Sequence, residues 1–387
     1  SAATRLYEQA LALRRQRRNA GPEVARTLNR LAGVRALLHR PEEAEALHRE
    51  ALGLYGRAEG PRGRGGAETL MLLAELARGR GRYDEAERLF AAGIGQQRRI
   101  LGPRHPTVGQ SLSNLALLRI DRGDLPGAEK LLREALAIQE ESLEEGHPQT
   151  VGTLSNLAIT LYTQGDLSGA EATERKILAL LRRRLSPDHP RIADSLCNLG
   201  TYVLALGRTG EAARFQEEAL AIRGRVFGER HLKVAESLTM LTRIRIAEGR
   251  LAEAEDLGRR AAGLIGELLG KDHPLLSYPL TDLGRILVAQ GRLGEAEAFL
   301  RQSLEIRVGA LPAKHFEIFR SRSDLGACLT RQERYAEAEP LLLAAEAELS
   351  RQFPDGDKRV QDTRRRLAEL YRAWGRPAVA ARYDPGG

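Results

Sequence analysis

Six histidines, His105, His147, His189, His231, His273 and His315, stand 42 residues apart without an insertion or deletion. A fixed period of this length is the mark of stacked supersecondary units and must be read before any domain is drawn. Extending the phase backwards reaches Gly63 and Gly21, and forwards Asp357, which makes nine units. With the anchor as position zero, position 10 is Leu in all nine: Leu31, Leu73, Leu115, Leu157, Leu199, Leu241, Leu283, Leu325 and Leu367. Position 11 is always small, as in Ala116, Thr242, Gly200, Gly284 and Gly326. Position 23 is Ala nine times, from Ala44 to Ala380, and position 18 is Gly in seven units, including Gly123, Gly165 and Gly249.

One unit shows what the pattern builds. From Pro148 to Gln164 the apolar residues Val151, Leu154, Leu157, Ala158 and Leu161 recur at helical 3–4 spacing. Pro148 suits a first helical position, where the missing N–H would be unpaired anyway. Gly165 ends the helix, because glycine takes left-handed angles cheaply. A second helix is predicted from about Ser168 to Leu185, and Ala170 lets the two backbones approach. A pair of helices each roughly 25 Å long cannot bury both faces alone, whereas stacked pairs share one core. The expected fold is therefore all-α, a right-handed superhelical solenoid forming a single array over residues 1–387. A lone helix at 1–20 precedes full pairs at 21–62, 63–104, 105–146, 147–188, 189–230, 231–272, 273–314 and 315–356. A terminal helix and stub at 357–387 close it.

Composition narrows the class. Aromatics are only 4% of the 387 residues, which disfavours sandwiches and barrels. No run of about 18 apolar residues could cross a membrane. The opening Ser1-Ala2-Ala3-Thr4-Arg5 has neither an initiator Met nor an apolar signal core and reads as a cut fragment. Two cysteines far apart, Cys197 and Cys328, exclude a disulfide framework and point to a reducing cytoplasm. The net charge is +8, and only six of the 60 basic residues are Lys, a bias that coding composition explains as readily as a nucleic-acid surface does.

The paired small positions, and the turn Gly81-Arg82-Tyr83-Asp84-Glu85-Ala86-Glu87 echoed at Arg334–Glu339, resemble the tetratricopeptide repeat. The 42-residue period, with His147-Pro148 before a first helix and Asn156-Leu157-Ala158 within it, is similar to the kinesin light chain subclass. The stretch from Arg366 to Arg376 resembles the C-terminal end of arrays in bacterial multidomain signalling proteins. The resemblance covers nearly the whole chain and implies protein or peptide binding, with the first helices lining a concave groove.

Catalytic and cofactor chemistry is not indicated. One histidine per unit strings the rings along an edge, whereas zinc needs about four ligands around one point. These histidines are expected to cap first helices. Gly60-Pro61-Arg62-Gly63-Arg64-Gly65-Gly66 lacks the Gly-Lys-Ser/Thr ending of a phosphate loop and aligns with the inter-repeat loop Gly102–His105. Cys197 takes the place of Ser113 and Ser155 at position 8, a small helix-contact residue. The arginine runs Arg14–Arg18, Arg182–Arg184 and Arg364–Arg366 share no register, and two sit where cations favour a helix C-terminus.

The ligand surface should then be positions 5, 9, 12 and 16, opposite the core stripe at 100° per residue. Asn114, Asn156 and Asn198 form a row of primary amides, each a donor and an acceptor. The family resemblance implies that this Asn binds a peptide backbone, and the alternative is that it ties neighbouring repeats together. Leu117 and Ile159 sit beside the row as apolar floor, with Thr201 in the equivalent place. Arg243 and Arg285 make a more cationic stretch, partly offset by Glu236 and Asp282. The reading is a non-catalytic scaffold without cofactor or metal, binding a protein or peptide as the docking or sensing part of a larger cytoplasmic protein. The rival is an architectural module that self-associates or holds an absent effector domain. Nucleic acid ranks behind both.

Overall fold

The computed structural model describes residues 2–17, 20–60 and 63–384. Ser1 and Arg18 of the expected first helix and run, Pro61 and Arg62 of the glycine-rich loop, and the last three residues of the stub lie outside the described residues. The chain divides into two compact units, residues 1–185 and 186–387. In the first, α1 (Ala2–Arg15) precedes the pairs α2 (Gly21–Leu37) with α3 (Pro41–Glu59), α4 (Arg64–Gly79) with α5 (Tyr83–Leu101), α6 (Pro106–Asp121) with α7 (Leu125–Ser142), and α8 (Pro148–Gln164) with α9 (Leu167–Arg184). In the second the pairs are α10 (Pro190–Ala205) with α11 (Thr209–Phe227), α12 (Leu232–Ala247) with α13 (Leu251–Leu269), α14 (Ser277–Ala289) with α15 (Leu293–Ala310), and α16 (Phe316–Arg331) with α17 (Tyr335–Gln352). There α18 (Lys358–Ala373) and the short α19 (Pro377–Ala380) close the chain. No strand occurs among the described residues, and the expected all-α fold of helix pairs is what forms.

Each helix start and stop follows from its residues. His105, His147, His189, His231, His273 and His315 are N-caps, and each Nδ1 accepts the backbone N–H two residues on, at 3.1–3.3 Å. Asp357 does the same with Oδ1 at 2.8 Å, so the ninth unit keeps the cap after losing the imidazole. The unit at His273 begins with a 3-10 turn, Pro274–Leu276, before α14. Pro279 explains this, since it has no N–H to close the first α-helical bond.

The position-18 residue ends every first helix in the left-handed region. Seven are Gly, with Gly165 at φ 89°. His39 and Glu333 stand at the same place and take φ 56° and 62°, the two non-glycine residues with positive φ among those described. A side chain there strains against its own carbonyl. Glu333→Gly should therefore stabilise the second unit by about 0.5–1 kcal/mol, after the entropy a glycine loses on folding is set against the strain relieved. Urea unfolding of the variant should shift to higher midpoint, and an unchanged or lower midpoint would show that the turn carries no strain.

Helix pairs close on small residues. The alanines at position 23 from Ala44 to Ala338 are fully buried. In several pairs position 11 of the first helix meets position 27 of its own second helix, and the two volumes compensate. Ala74 and Phe90 share one buried cluster, whereas a Cβ on Gly284 or Gly326 would lie 2.5–2.6 Å from Leu300 or Leu342. In the unit with Thr242 the roles reverse, and position 27 is Gly258. The position-10 leucines are buried, Leu157 among them, except Leu115, which packs along the rim of its cluster.

At several joints an ion pair runs from position 19 of one unit to position 24 of the unit before, whereas Asp124 and Asp166 take position 19 in two units and cap α7 and α9 instead. Arg82 reaches Glu45 at 2.6 Å, Arg292 reaches Glu255 at 2.8 Å and Arg334 reaches Glu297 at 2.6 Å. The Arg82 hydrogen bond, with Arg49 close by, holds the Glu45 carboxyl down at about 2 against a smaller opposing effect of burial. The arginine runs are engaged in the same way, Arg183 with Glu145, Arg184 with Glu144 and Arg364 with Glu346.

Candidate functional site

In the first unit the expected face carries Asn114 and Leu117 on α6 and Asn156 and Ile159 on α8. Three of these are half-buried and Ile159 is 50% exposed. Gln110 Nε2 donates to Asn114 Oδ1 at 3.0 Å, which leaves Asn114 Nδ2 with no hydrogen bond among the described residues. Asn156 Nδ2 donates to Ser113 Oγ of α6 over 3.5 Å, a long tie between neighbouring repeats. The two amides thus differ, one turned to open space and one reaching its neighbour.

Asn114 also borders a half-open cavity of about 380 Å³ between α4 and α6, floored by the end of α5. Met71, Ile100 and Leu101 give it apolar surface, and Gln110, Gln97 and Arg64 give it polar groups. Gln97 is 5% exposed, and its buried Oε1 has no hydrogen-bond partner. A buried acceptor left unpaired costs free energy, which makes Gln97 a local weak point of the cavity wall.

Gln97 occupies a position that sequence reading passed over, eight residues before the anchor. In the second unit Arg223 and Arg307 hold it, both nearly inaccessible. Arg223 donates to Ser237 Oγ at 2.9 Å and to the Lys233 carbonyl at 3.0 Å. Arg307 donates to Ser321 Oγ at 2.6 Å and pairs with Glu317 at 3.2 Å. Burial pulls the Arg307 guanidinium below the usual arginine value. The hydroxyls that receive them lie at position 6, which is Ser or Thr in eight of the nine units and buried in each. That regularity was a visible signal. Gln is too short to make the whole set of bonds, hence the orphan amide atoms of Gln97 and Gln139.

In the second unit Asn198 and Thr201 lie half-buried on α10, and the Thr201 hydroxyl donates to the Cys197 carbonyl at 3.0 Å. Further along, position 9 changes character. Asp282 and Asp324, expected on the open face, are 3% exposed. The arginine at position 12 of the preceding first helix covers each: Arg243 Nε bonds Asp282 at 2.9 Å, and Arg285 grips Asp324 through two bonds at 2.7 and 3.1 Å. Arg366 adds a bond to Asp324 at 2.7 Å from α18. Burial works to raise the Asp324 carboxyl, but the two guanidiniums outweigh it and hold it well below the usual carboxylate range. Asp324 in turn raises Arg285. Arg243 and Arg285 keep outer edges exposed, at 39% and 38% of the side chain.

The two cysteines are held as thiols by their surroundings. Burial raises the Cys197 thiol, against weaker opposing effects from Arg223, Ser237 and Gln216, and pushes Cys328 up to about 11. Among the described residues no three His, Cys, Asp or Glu side chains converge to hold a metal ion. No helix of the described residues is long and apolar enough to cross a membrane.

Against known families, the tetratricopeptide repeat matches residues 23–99, 67–141, 107–183, 149–224 and 243–307. The chain belongs to the tetratricopeptide-repeat family. Among solved structures, a putative kinesin light chain of Podosopora anserina with nearly identical TPR-like repeats is 26% identical, over 53% of this chain and 97% of that one, with a TM-score of 0.48. BtubC of P. vanneervenii is 24% identical over 59% of this chain and 91% of its own, with a TM-score of 0.51. A signal transduction ATPase with numerous domains and a tetratricopeptide repeat sensor, from Pyrococcus horikoshii, is 14% identical with a TM-score of 0.59, covering 99% of this chain and 55% of that one. No curated protein matches the sequence. Tetratricopeptide-repeat arrays are in general non-catalytic scaffolds for protein–protein interaction.

Proposed function

We propose that this tetratricopeptide-repeat chain binds a protein or peptide segment along the face of its first helices, at Asn114, Leu117, Asn156 and Ile159 in the first unit and Asn198, Thr201, Arg243 and Arg285 in the second. The observation that carries the reading is the cavity of about 380 Å³ between α4 and α6, where Asn114, with its free Nδ2, and Gln110 stand beside the apolar side chains of Met71, Ile100 and Leu101. A peptide offers what such walls lack: backbone donors and acceptors for the amides, and a side chain for the floor. The repeat phase running unbroken past residue 185 supports treating the chain as one array. Its proposed place is the docking or sensing part of a larger cytoplasmic signalling protein, a role of the kind that the Pyrococcus protein's repeat sensor carries.

The bond from Asn156 to Ser113 favours the rival reading for that residue, a tie between repeats. The double change Asn114→Ala, Asn156→Ala separates the two. Each lost hydrogen bond is worth about 0.5–1.5 kcal/mol. The affinity for a partner recovered from source lysate should fall about tenfold or more, since 1.4 kcal/mol is one decade, with an unchanged melting temperature. A large fall in melting temperature with unchanged affinity would make the amides structural and the site assignment wrong.

A further inference from the structure

The second unit holds a cationic cavity that shares only Arg285 with the proposed peptide-binding face. Five cations, Arg285, Arg320, Lys358, Arg359 and Arg366, line one half-open cavity of about 460 Å³ between α14, α16 and α18, and Asp362 is the one carboxylate among its lining residues. Asp362 is matched by Arg365 at 3.2 Å.

Three of these guanidiniums are fixed from behind. Asp324 anchors Arg285 and Arg366 from their two neighbouring helices. Asp357 clamps Arg359 through two bonds at 2.7 and 2.8 Å, and the Phe353 ring lies 3.5 Å from the same guanidinium carbon. Arg320 is held only at Nη1, by Glu317 at 2.8 Å, and Lys358 is exposed with no ion pair among the described residues. Cations placed in advance by buried carboxylates lose little freedom when an anion arrives, which is the condition for a selective site.

The charge balance names the anion. Glu317 is shared between Arg320 and Arg307, Asp324 between Arg285 and Arg366, and Asp357 is spent on Arg359. Lys358 has nothing opposite it. Three carboxylates therefore face six cations, a surplus that a dianion neutralises better than a single carboxylate or a phosphodiester. A phosphate monoester is such a dianion above its second pKa of about 6, and it offers three acceptor oxygens to guanidinium forks.

We propose that this cavity holds a phosphate monoester, carried on a phosphorylated side chain of the bound segment. The source of the group rests on the peptide-binding reading; the phosphate site itself does not. Binding is read by calorimetry at pH 8 and constant ionic strength, with inorganic phosphate, N-acetyl-O-phosphoserine amide, dimethyl phosphate and acetate as probes. The first two should bind saturably and the last two at least tenfold more weakly. Lys358→Gln and, separately, Arg320→Gln should each weaken phosphate at least threefold, and Lys130→Gln on α7, an equal change of charge in the other unit, should leave it unchanged. Lys358 is unpaired, so its replacement tests binding without disturbing the fold. Equal binding of all four anions, no binding of phosphate, or full affinity in Lys358→Gln would overturn the site. Tighter binding of the phosphoserine amide than of free phosphate places the group on a protein segment, and the reverse order would overturn that placement. None of these readings uses the amides of the first unit, so either proposal can fail while the other stands.

Discussion

Replacing Phe90 by alanine should destabilise the first unit by about 3–5 kcal/mol, the range for truncating a fully buried aromatic ring. Phe90 is wholly inaccessible and packs with Ala74, Ala86, Leu112 and Leu118 in one cluster spanning α4 to α6. Ala74 and Ala86 on two of its sides have no side-chain length to fill the hole. In a stack where each repeat touches its neighbours, the loss should also stay local. Hydrogen exchange should show protection collapsing in α4, α5 and α6 while α14 to α18 retain theirs. Loss spread evenly to Leu367 would mean that the chain unfolds as one cooperative body.

Asp324→Asn should cost the second unit about 3 kcal/mol near neutral pH. The side chain is 1% exposed and is the shared acceptor for Arg285 and Arg366. Removing its charge leaves the guanidiniums of Arg285 on α14 and Arg366 on α18 without their shared counter-charge, and breaking a buried pair costs roughly 3–5 kcal/mol. The partly hydrated arginines place the loss at the lower end. The pH dependence has a definite sign. The carboxyl is held well below the usual range in the folded protein, so the unfolded chain takes up the proton first as pH falls. Its contribution is complete above the ordinary carboxylate value of about 3.9 and fades as pH drops further. The gap in melting temperature between wild type and Asp324→Asn should therefore narrow steadily on acidification below about pH 4. A gap that stays constant down to pH 2 would show that the charge of Asp324 contributes nothing.

The sequence carried the helices because their signals are local and repeated. Pro148 and Gly165 bound α8 at the predicted residues, and the capping role of His147 follows from its place before a proline-led helix. The face of the first helices was less legible. Helical spacing says that Asn114 and Asp324 point the same way, but it does not say what waits there. Asn114 keeps an amide open, whereas Asp324 is roofed by an arginine belonging to a helix about 40 residues earlier. Arg243 and Arg285 read as a stretch only partly offset by Glu236 and Asp282, because helical spacing does not show that Arg243 bonds Asp282 and Arg285 roofs Asp324. The hydroxyl at position 6 recurs in eight of nine units and so was visible in the sequence, but a repeated Ser or Thr does not reveal that Arg223 and Arg307 reach it from the preceding second helix.

The compensation between positions 11 and 27 bears on how such a chain can be recombined. Its partners lie within one helix pair and differ from unit to unit, as with Thr242 and Gly258 against Gly284 and Leu300. The links from one second helix to the next repeat one arrangement at several joints, Arg82 to Glu45, Arg292 to Glu255 and Arg334 to Glu297. A crossover inside a pair would set Thr242 against leucine, whereas a crossover in the loop before a capping histidine keeps every matched volume together. Duplication, loss and exchange of whole 42-residue segments are therefore the changes this architecture tolerates, and the segment's natural seam is the residue just before the histidine.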